Sequence, residues 1–306
     1  MKNKFSKIFE DFKFILHGHI LNPIWLPRVE RRRRRFNVNL KHAYNAIKKY
    51  KPFIESLKLD DNYEIKDIEF EYIFTIWLQS EIKAPALIKS CFQRMRKYYG
   101  DKVKVLDSQT LREWIELPDY IWRKWKEGKI SNAHFTDICR VVLLEKYGGI
   151  WFDATDYLTS PIPEWIWESD FFMFSTGENI SPTTLIQNCF IRSKKGYPLL
   201  KAWEEIIFEY WDKEDQVVDY FVHHYLFRYL IENNLEAAGL FSKMPIIAQD
   251  PTHLLWFTYR DKQFSEDLYE NVTKNTFFQK TNFKMKSAKK PKPDTIADFM
   301  INGRIK

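Results

Sequence analysis

Cysteine is scarce: the chain has three, Cys91, Cys139 and Cys189. An odd number without metal-ligand spacing argues against a disulfide framework and reads as reduced core thiols of a cytoplasmic protein. No apolar run is long enough to cross a bilayer, and no cleavable signal pattern opens the sequence. Neither of the first two expected strands is followed by Gly-x-Gly-x-x-Gly or a phosphate-loop lysine, which excludes dinucleotide and P-loop chemistry. The adjacent His223 and His224 cannot share a helix face, so a helical two-histidine zinc site is not indicated. A nucleic-acid motif is missing too, so the net charge of +7 points to nucleotide phosphates or an anionic membrane surface rather than to nucleic acid.

With 306 residues, 45% of them apolar, the chain can bury one large α/β domain with appendages. Residues 1–60 read as an N-terminal helical appendage. Phe5, Ile8, Phe9, Phe12, Ile15 and Leu16 form one face of an amphipathic helix, and six arginines follow between Arg28 and Arg35. A basic cluster beside such a helix suits peripheral attachment to the inner face of the cell membrane. Residues 61–283 read as the main domain. Glu71 to Gln79 and Lys102 to Leu106 are expected strands flanking a helix that opens after Pro85, one half of a doubly wound sheet. Residues 111–129 read as helical, Asp170 to Ser175 and Leu185 to Ile191 as paired strands, and Thr176 to Thr184 as a polar loop placed to cover a ligand. Pro198 to Trp211 and Val217 to Asn233 read as helices. Residues 284–306 form a basic tail, expected as a mobile strap or second membrane contact, with a short helix over Thr295 to Met300.

The centre is Ser131 to Pro163. Ser131 or Asn132 caps a helix that runs through Phe135, Ile138, Val141 and Val142 and stops at Gly148 and Gly149. Ile150, Trp151 and Phe152 then form a strand buried on both faces, which delivers Asp153 and Asp156 at its carboxyl end, where open α/β sheets bind ligands. Carboxylate oxygens there suit Mg²⁺ or Mn²⁺, which in turn hold phosphates. Asp137 and Arg140 lie three apart among apolar residues. An intrahelical ion pair contributes only ~0.2 to 0.5 kcal/mol, so contact with a ligand is the expected role.

The run Thr136, Asp137, Ile138, Cys139, Arg140, with Tyr147, Gly148, Gly149, Ile150, Trp151, Phe152, Asp153, Ala154 and Thr155, resembles the capsular polysaccharide synthesis glycosyltransferases. These are related to the Asp-x-Asp sugar transferases of glycosyltransferase family 32. The resemblance implies a GT-A fold, a Rossmann-like, doubly wound mixed sheet. It also implies a retaining transferase that takes a sugar from a nucleoside-diphosphate donor, UDP first among them, with Mn²⁺ or Mg²⁺ as cofactor. The acceptor would be a growing surface polysaccharide or its lipid-linked precursor. Carried onto this chain, Trp77 stacks on the base, Asp137 and Arg140 touch ribose and sugar, and Asp153 stands first in the metal motif. Asp219, in Asp219-Tyr220-Phe221, is expected to hold the transferred sugar or the acceptor, and His253 to help complete the metal or diphosphate site. The second Asp of the motif falls on Thr155, with Asp156 one place later, so Asp156 joins Asp153 only if the strand has already turned. That departure supports a competing expectation, a catalytically inactive transferase fold that scaffolds an assembly complex at the membrane.

Overall fold

The computed structural model describes residues 28–60, 63, 71–176 and 184–305, with side chains from residue 37 onward. The amphipathic stretch 1–27, the arginine side chains up to Arg35 and loop residues 177–183 lie outside the described residues.

Among the described residues seven strands form two sheets: β1 Ile73–Ile76, β2 Val103–Leu106, β3 Gly149–Phe152, β4 Asp156–Leu158, β5 Phe171–Ser175, β6 Ile186–Ser193 and β7 Phe278–Lys280. The large sheet has the order β2-β1-β3-β6-β5. Its β1, β2 and β3 run parallel, β6 lies antiparallel to β3, and β5 antiparallel to β6. β4 and β7 make a separate antiparallel ribbon. Helices of eight residues or more are α1 Arg28–Ile47, α2 Ala86–Tyr99, α3 Asp119–Lys126, α4 Asn132–Tyr147, α5 Pro198–Lys213, α6 Val222–Asn233, α7 Leu235–Ser242 and α8 Glu266–Thr273. This is the expected α/β class with a Rossmann-like mixed sheet.

The chain steps from β1 outward to β2 and then back across β1 to β3. With right-handed crossovers that reversal puts α2 and α4 on opposite faces and opens a crevice at the carboxyl ends of β1 and β3. β3 is fully buried because α4 packs across β1, β3 and β6, with α5 behind it. The turn between α4 and β3 demands glycine. Gly149 has φ +95°, and a Cβ there would meet the Tyr72 carbonyl oxygen at 2.2 Å. The same oxygen accepts from Ile150 N at 2.9 Å, so close approach of the two backbones fixes how β3 enters the sheet.

Boundaries moved where the sequence carried breakers. The helical stretch 111–129 splits at Pro118 into Leu111–Trp114 and α3, since proline cannot continue a helix. α6 starts at Val222, after an Asp219 turn. Ala43, Ile47, Tyr50 and Ile54 are buried in the same core as the sheet, so residues 37–60 pack against the domain. The tail docks as well. Ile296, Ala297 and Met300 are buried with Leu87 and Cys91 of α2 and with Trp256.

Candidate active site

The crevice at the carboxyl ends of β1 and β3 is a cleft of about 650 Å³. β1 runs into Trp77, which lines the cleft half-buried, edge-on to Phe283 with centroids 5.2 Å apart. α4 contributes Asp137 and Arg140, β3 runs into Asp153, and the start of β6 contributes Ile186, Gln187 and Asn188. α4 holds its position because Ser131 caps it, accepting from His134 N at 3.3 Å.

Arg140 is the hub. Its Nη2 lies 2.9 Å from Asp137 Oδ1 and 3.0 Å from Asp153 Oδ1, while its guanidinium sits 4.9 Å from the Trp151 ring centre. Trp151 Nε1 donates to Asp153 Oδ1 at 3.0 Å, and Asn188 Nδ2 donates to Asp137 Oδ1 at 3.1 Å. Burial alone would push the Asp137 carboxyl up, but Arg140, helped by His223, outweighs it and holds the group well below the usual carboxylate range. His223 is buried, its own pKa lowered by that burial despite the nearby Asp137. Its Nε2 accepts from Trp211 Nε1 at 2.9 Å, so in the neutral ring the proton sits on Nδ1, 3.5 Å from Asp137 Oδ2.

The chain has turned between Asp153 and Asp156: Asp156 N donates to Asp153 O at 2.9 Å, and Asp153 N donates back to Asp156 Oδ2 at 3.2 Å. Both carboxylates therefore face one way, yet what stands between them is Lys280. Its Nζ lies 2.5 Å from Asp153 Oδ2 and 3.2 Å from Asp156 Oδ1. Burial pushes the Asp156 carboxyl up to about 7, against the pull of Lys280 and with the charge on Asp153. Asp153 is held low, because Arg140 and Lys280 together exceed its desolvation.

These contacts test the expected metal ligands. Asp153 reaches the cleft with both oxygens engaged, Asp156 is fully buried and does not line it, and His253 lines it with Nδ1 against Thr252 Oγ1 at 2.8 Å. Burial, with Lys280 nearby, lowers His253 to about 4, so its imidazole is neutral. Among the described residues no three His, Cys, Asp or Glu side chains gather as a metal donor set. An ammonium already occupies the position between the aspartates, so the residues present do not fit a divalent ion there.

Asp219 does not line the cleft. Its Oδ1 accepts from Phe221 N at 2.8 Å, an Asx turn that starts α6, and its neighbours Tyr220 and Phe221 line the cleft, as does His224. Sequence reasoning missed Lys280 and Asn188. Lys280 follows Phe277-Phe278-Gln279, and its pairing with a segment far upstream leaves no local signal.

The sequence profile of the capsular polysaccharide synthesis proteins matches residues 24–300. The chain belongs to that family. Among curated relatives, the chain is 33% identical over 114 residues to "O-glycosyltransferase braB" of Annulohypoxylon truncatum, a match covering 35% of this chain and 27% of the relative. It is 30% identical over 106 residues to "Glycosyltransferase afumC" of Aspergillus fumigatus, covering 31% and 26%. The matches thus span about a quarter of each relative's length. The solved structure "PaToxG Glycosyltransferase" superposes with a TM-score of 0.42 at 15% identity, covering 68% of this chain and 82% of that one, a likeness too low to argue from. No helix among the described residues is long and apolar enough to cross a membrane.

Proposed function

We propose that this capsular synthesis family member is a glycosyltransferase of GT-A type. It takes a sugar from a nucleoside diphosphate, UDP foremost, and adds it with retention to a surface glycan or its lipid-linked precursor. The observation that carries the reading is Arg140, a guanidinium 4% exposed yet lining a cleft and clamped by Asp137 and Asp153. Burying a cation with two carboxylates is a weak source of stability, so its place in the cleft wall is better explained by a ligand. The names of the two relatives support transfer of a sugar to oxygen or another acceptor atom.

In this reading Trp77 offers its ring to the base, and Asp137 and Asp153 accept from donor hydroxyls while Arg140 holds both in place. Polar groups fixed in advance cost no reorganisation at the moment of reaction. The cleft-lining carboxylates Asp137 and Asp153 are both paired with cations, which leaves neither free as a nucleophile. A front-face route, with the leaving phosphate taking the acceptor's proton, needs none.

The test is release of nucleoside diphosphate from a panel of UDP-, GDP- and CDP-sugars, with a thermal-shift titration of the free diphosphates. A ligand at a hundredfold over its dissociation constant adds about 2.7 kcal/mol of stability. Stabilisation by one base class with turnover of its sugar supports the proposal. Stabilisation without turnover on any acceptor favours the scaffold, and no stabilisation by any nucleotide refutes the site.

A further inference from the structure

The expected role of Asp153 and Asp156 as metal ligands meets a specific obstacle in the β4–β7 ribbon. Asp156 and Lys280 are direct cross-strand partners, so ribbon register, rather than side-chain chance, puts the ammonium beside the carboxylates. The register is itself pinned. Gln279, the neighbour of Lys280 on the opposite side of the strand, is fully buried, accepting from Leu255 N at 2.8 Å and donating to Pro251 O at 2.9 Å. Thr281 N donates to Thr155 O at 2.9 Å. A slip of one residue would turn Lys280 away and bury its charge elsewhere.

Lys280 also reaches the cleft. It lines the same cavity as Arg140 and Trp77, with its side chain 18% exposed. An ammonium has three donors; one is spent on a hydrogen bond to Asp153 Oδ2, while Asp156 Oδ1 is an ion-pair neighbour at 3.2 Å that accepts no hydrogen bond. A donor therefore remains for an anion in the cleft. Four residues on, exposed Lys284 lines the same cavity, so one segment brings two cations to the cleft. A divalent ion needs carboxylate oxygens at about 2.1 Å, which these two aspartates can supply only by expelling a lysine that the ribbon holds in place.

We infer that Lys280 is the tethered cation that stands over the donor's diphosphate in place of a divalent ion, so that donor binding and transfer do not require metal. This rests on the glycosyltransferase reading above. In transfer, the bond between the anomeric carbon and the β-phosphate oxygen breaks, and its electron pair leaves on the diphosphate. The acceptor oxygen bonds to that carbon, and its proton goes to the departing phosphate oxygen. Lys280 stays protonated throughout and lowers the energy of the charge that collects on the leaving group. Asp153 and Asp156 fix the ammonium and keep it charged.

The experiment compares wild type, Lys280→Arg and Lys280→Ala. Affinity for the nucleoside diphosphate selected by the wild type is measured in EDTA and in Mn²⁺. Binding of Mn²⁺ alone is followed by loss of the free-ion paramagnetic resonance signal. Expected are equal wild-type affinities in EDTA and Mn²⁺, and a free Mn²⁺ signal unchanged by wild-type protein. Lys280→Ala should bind the nucleotide about tenfold or more weakly in EDTA and gain Mn²⁺ binding at the two carboxylates that lose their ammonium, while Lys280→Arg keeps metal-free binding. Nucleotide binding by the wild type only when Mn²⁺ is present, or uptake of Mn²⁺ by wild type as tight as by Lys280→Ala, overturns the inference and leaves the transferase reading intact. Absence of nucleotide binding under both conditions overturns the transferase reading, and the inference falls with it. If Lys280→Ala fails to fold, the wild-type pair of measurements decides alone.

Discussion

Replacing Arg140 with methionine should destabilise the protein in a way that depends on pH. Methionine roughly keeps the apolar length of the side chain but removes the cation between Asp137 and Asp153. Removing one partner of a buried pair costs about 3 to 5 kcal/mol. Asp153 retains Lys280, so the penalty falls mainly on Asp137. His223 is a poor substitute cation, because its Nε2 accepts from Trp211. In wild type the Asp137 carboxyl is held below its unfolded value, against its burial, mainly by Arg140. Its contribution is present above pH ~4 and lost as pH falls through the depressed value. In Arg140→Met burial acts without that cation and the native carboxyl is pushed up, so the variant loses stability as pH rises from the unfolded value, about 4, to the raised one. Each pH unit of that window is worth about 1.4 kcal/mol. Urea unfolding followed by tryptophan fluorescence should therefore show a gap between wild type and variant of about 3 kcal/mol or more at pH 7.5, narrowing by at least about 1 kcal/mol at pH 4.5. A gap equal at both pH values would refute the reasoning, because simple loss of packing does not titrate.

Glu204 on α5 carries a buried Oε2 without a hydrogen-bond partner, and burial, with Glu145 and Glu205 nearby, pushes its carboxyl up from 4.5 to about 7. A raised carboxylate costs stability as pH rises from its unfolded value to its folded one. Glu204→Gln should therefore be more stable than wild type by on the order of 1 kcal/mol at pH 8 and no more stable at pH 4; calorimetric melts at the two pH values decide it. Gly149→Ala should lose on the order of 3 kcal/mol from a positive φ and a clash with Tyr72 O, and a melting temperature within a degree or two of wild type would contradict that. Trp77→Ala should weaken nucleoside diphosphates by about tenfold in calorimetric titrations while sparing inorganic pyrophosphate; equal losses for both would rule out stacking on the base.

Much of the frame could be read from the chain because its signals are local. Ser131 as a cap, Gly149 as a stop and the doubly buried Ile150-Trp151-Phe152 strand depend on neighbours within a few residues, and so does the order of β1, α2 and β2. That Asp137 and Arg140 share a helix face also follows from their spacing, although on sequence alone the ion pair they make ranks below ligand contact. The β4–β7 ribbon does not, since three-residue strands carry too little pattern to find a distant partner. Lys280 was invisible for that reason, and Asp156 could be read only as a conditional ligand. Asp219 shows the opposite failure. A residue type common in binding sites is equally suited to start a helix, and only the contact with Phe221 N distinguishes the two.

The ribbon also sets an order of assembly. Lys280 is 127 positions away from Asp153, so a chain emerging from synthesis completes its sheet, its helix α4 and its acidic pair long before the neutralising lysine exists. Until then the cleft holds an excess of negative charge that repels the phosphates it is built to receive. Contacts closed across so long a loop form late, and here the late contact is also the one that offsets part of that negative charge.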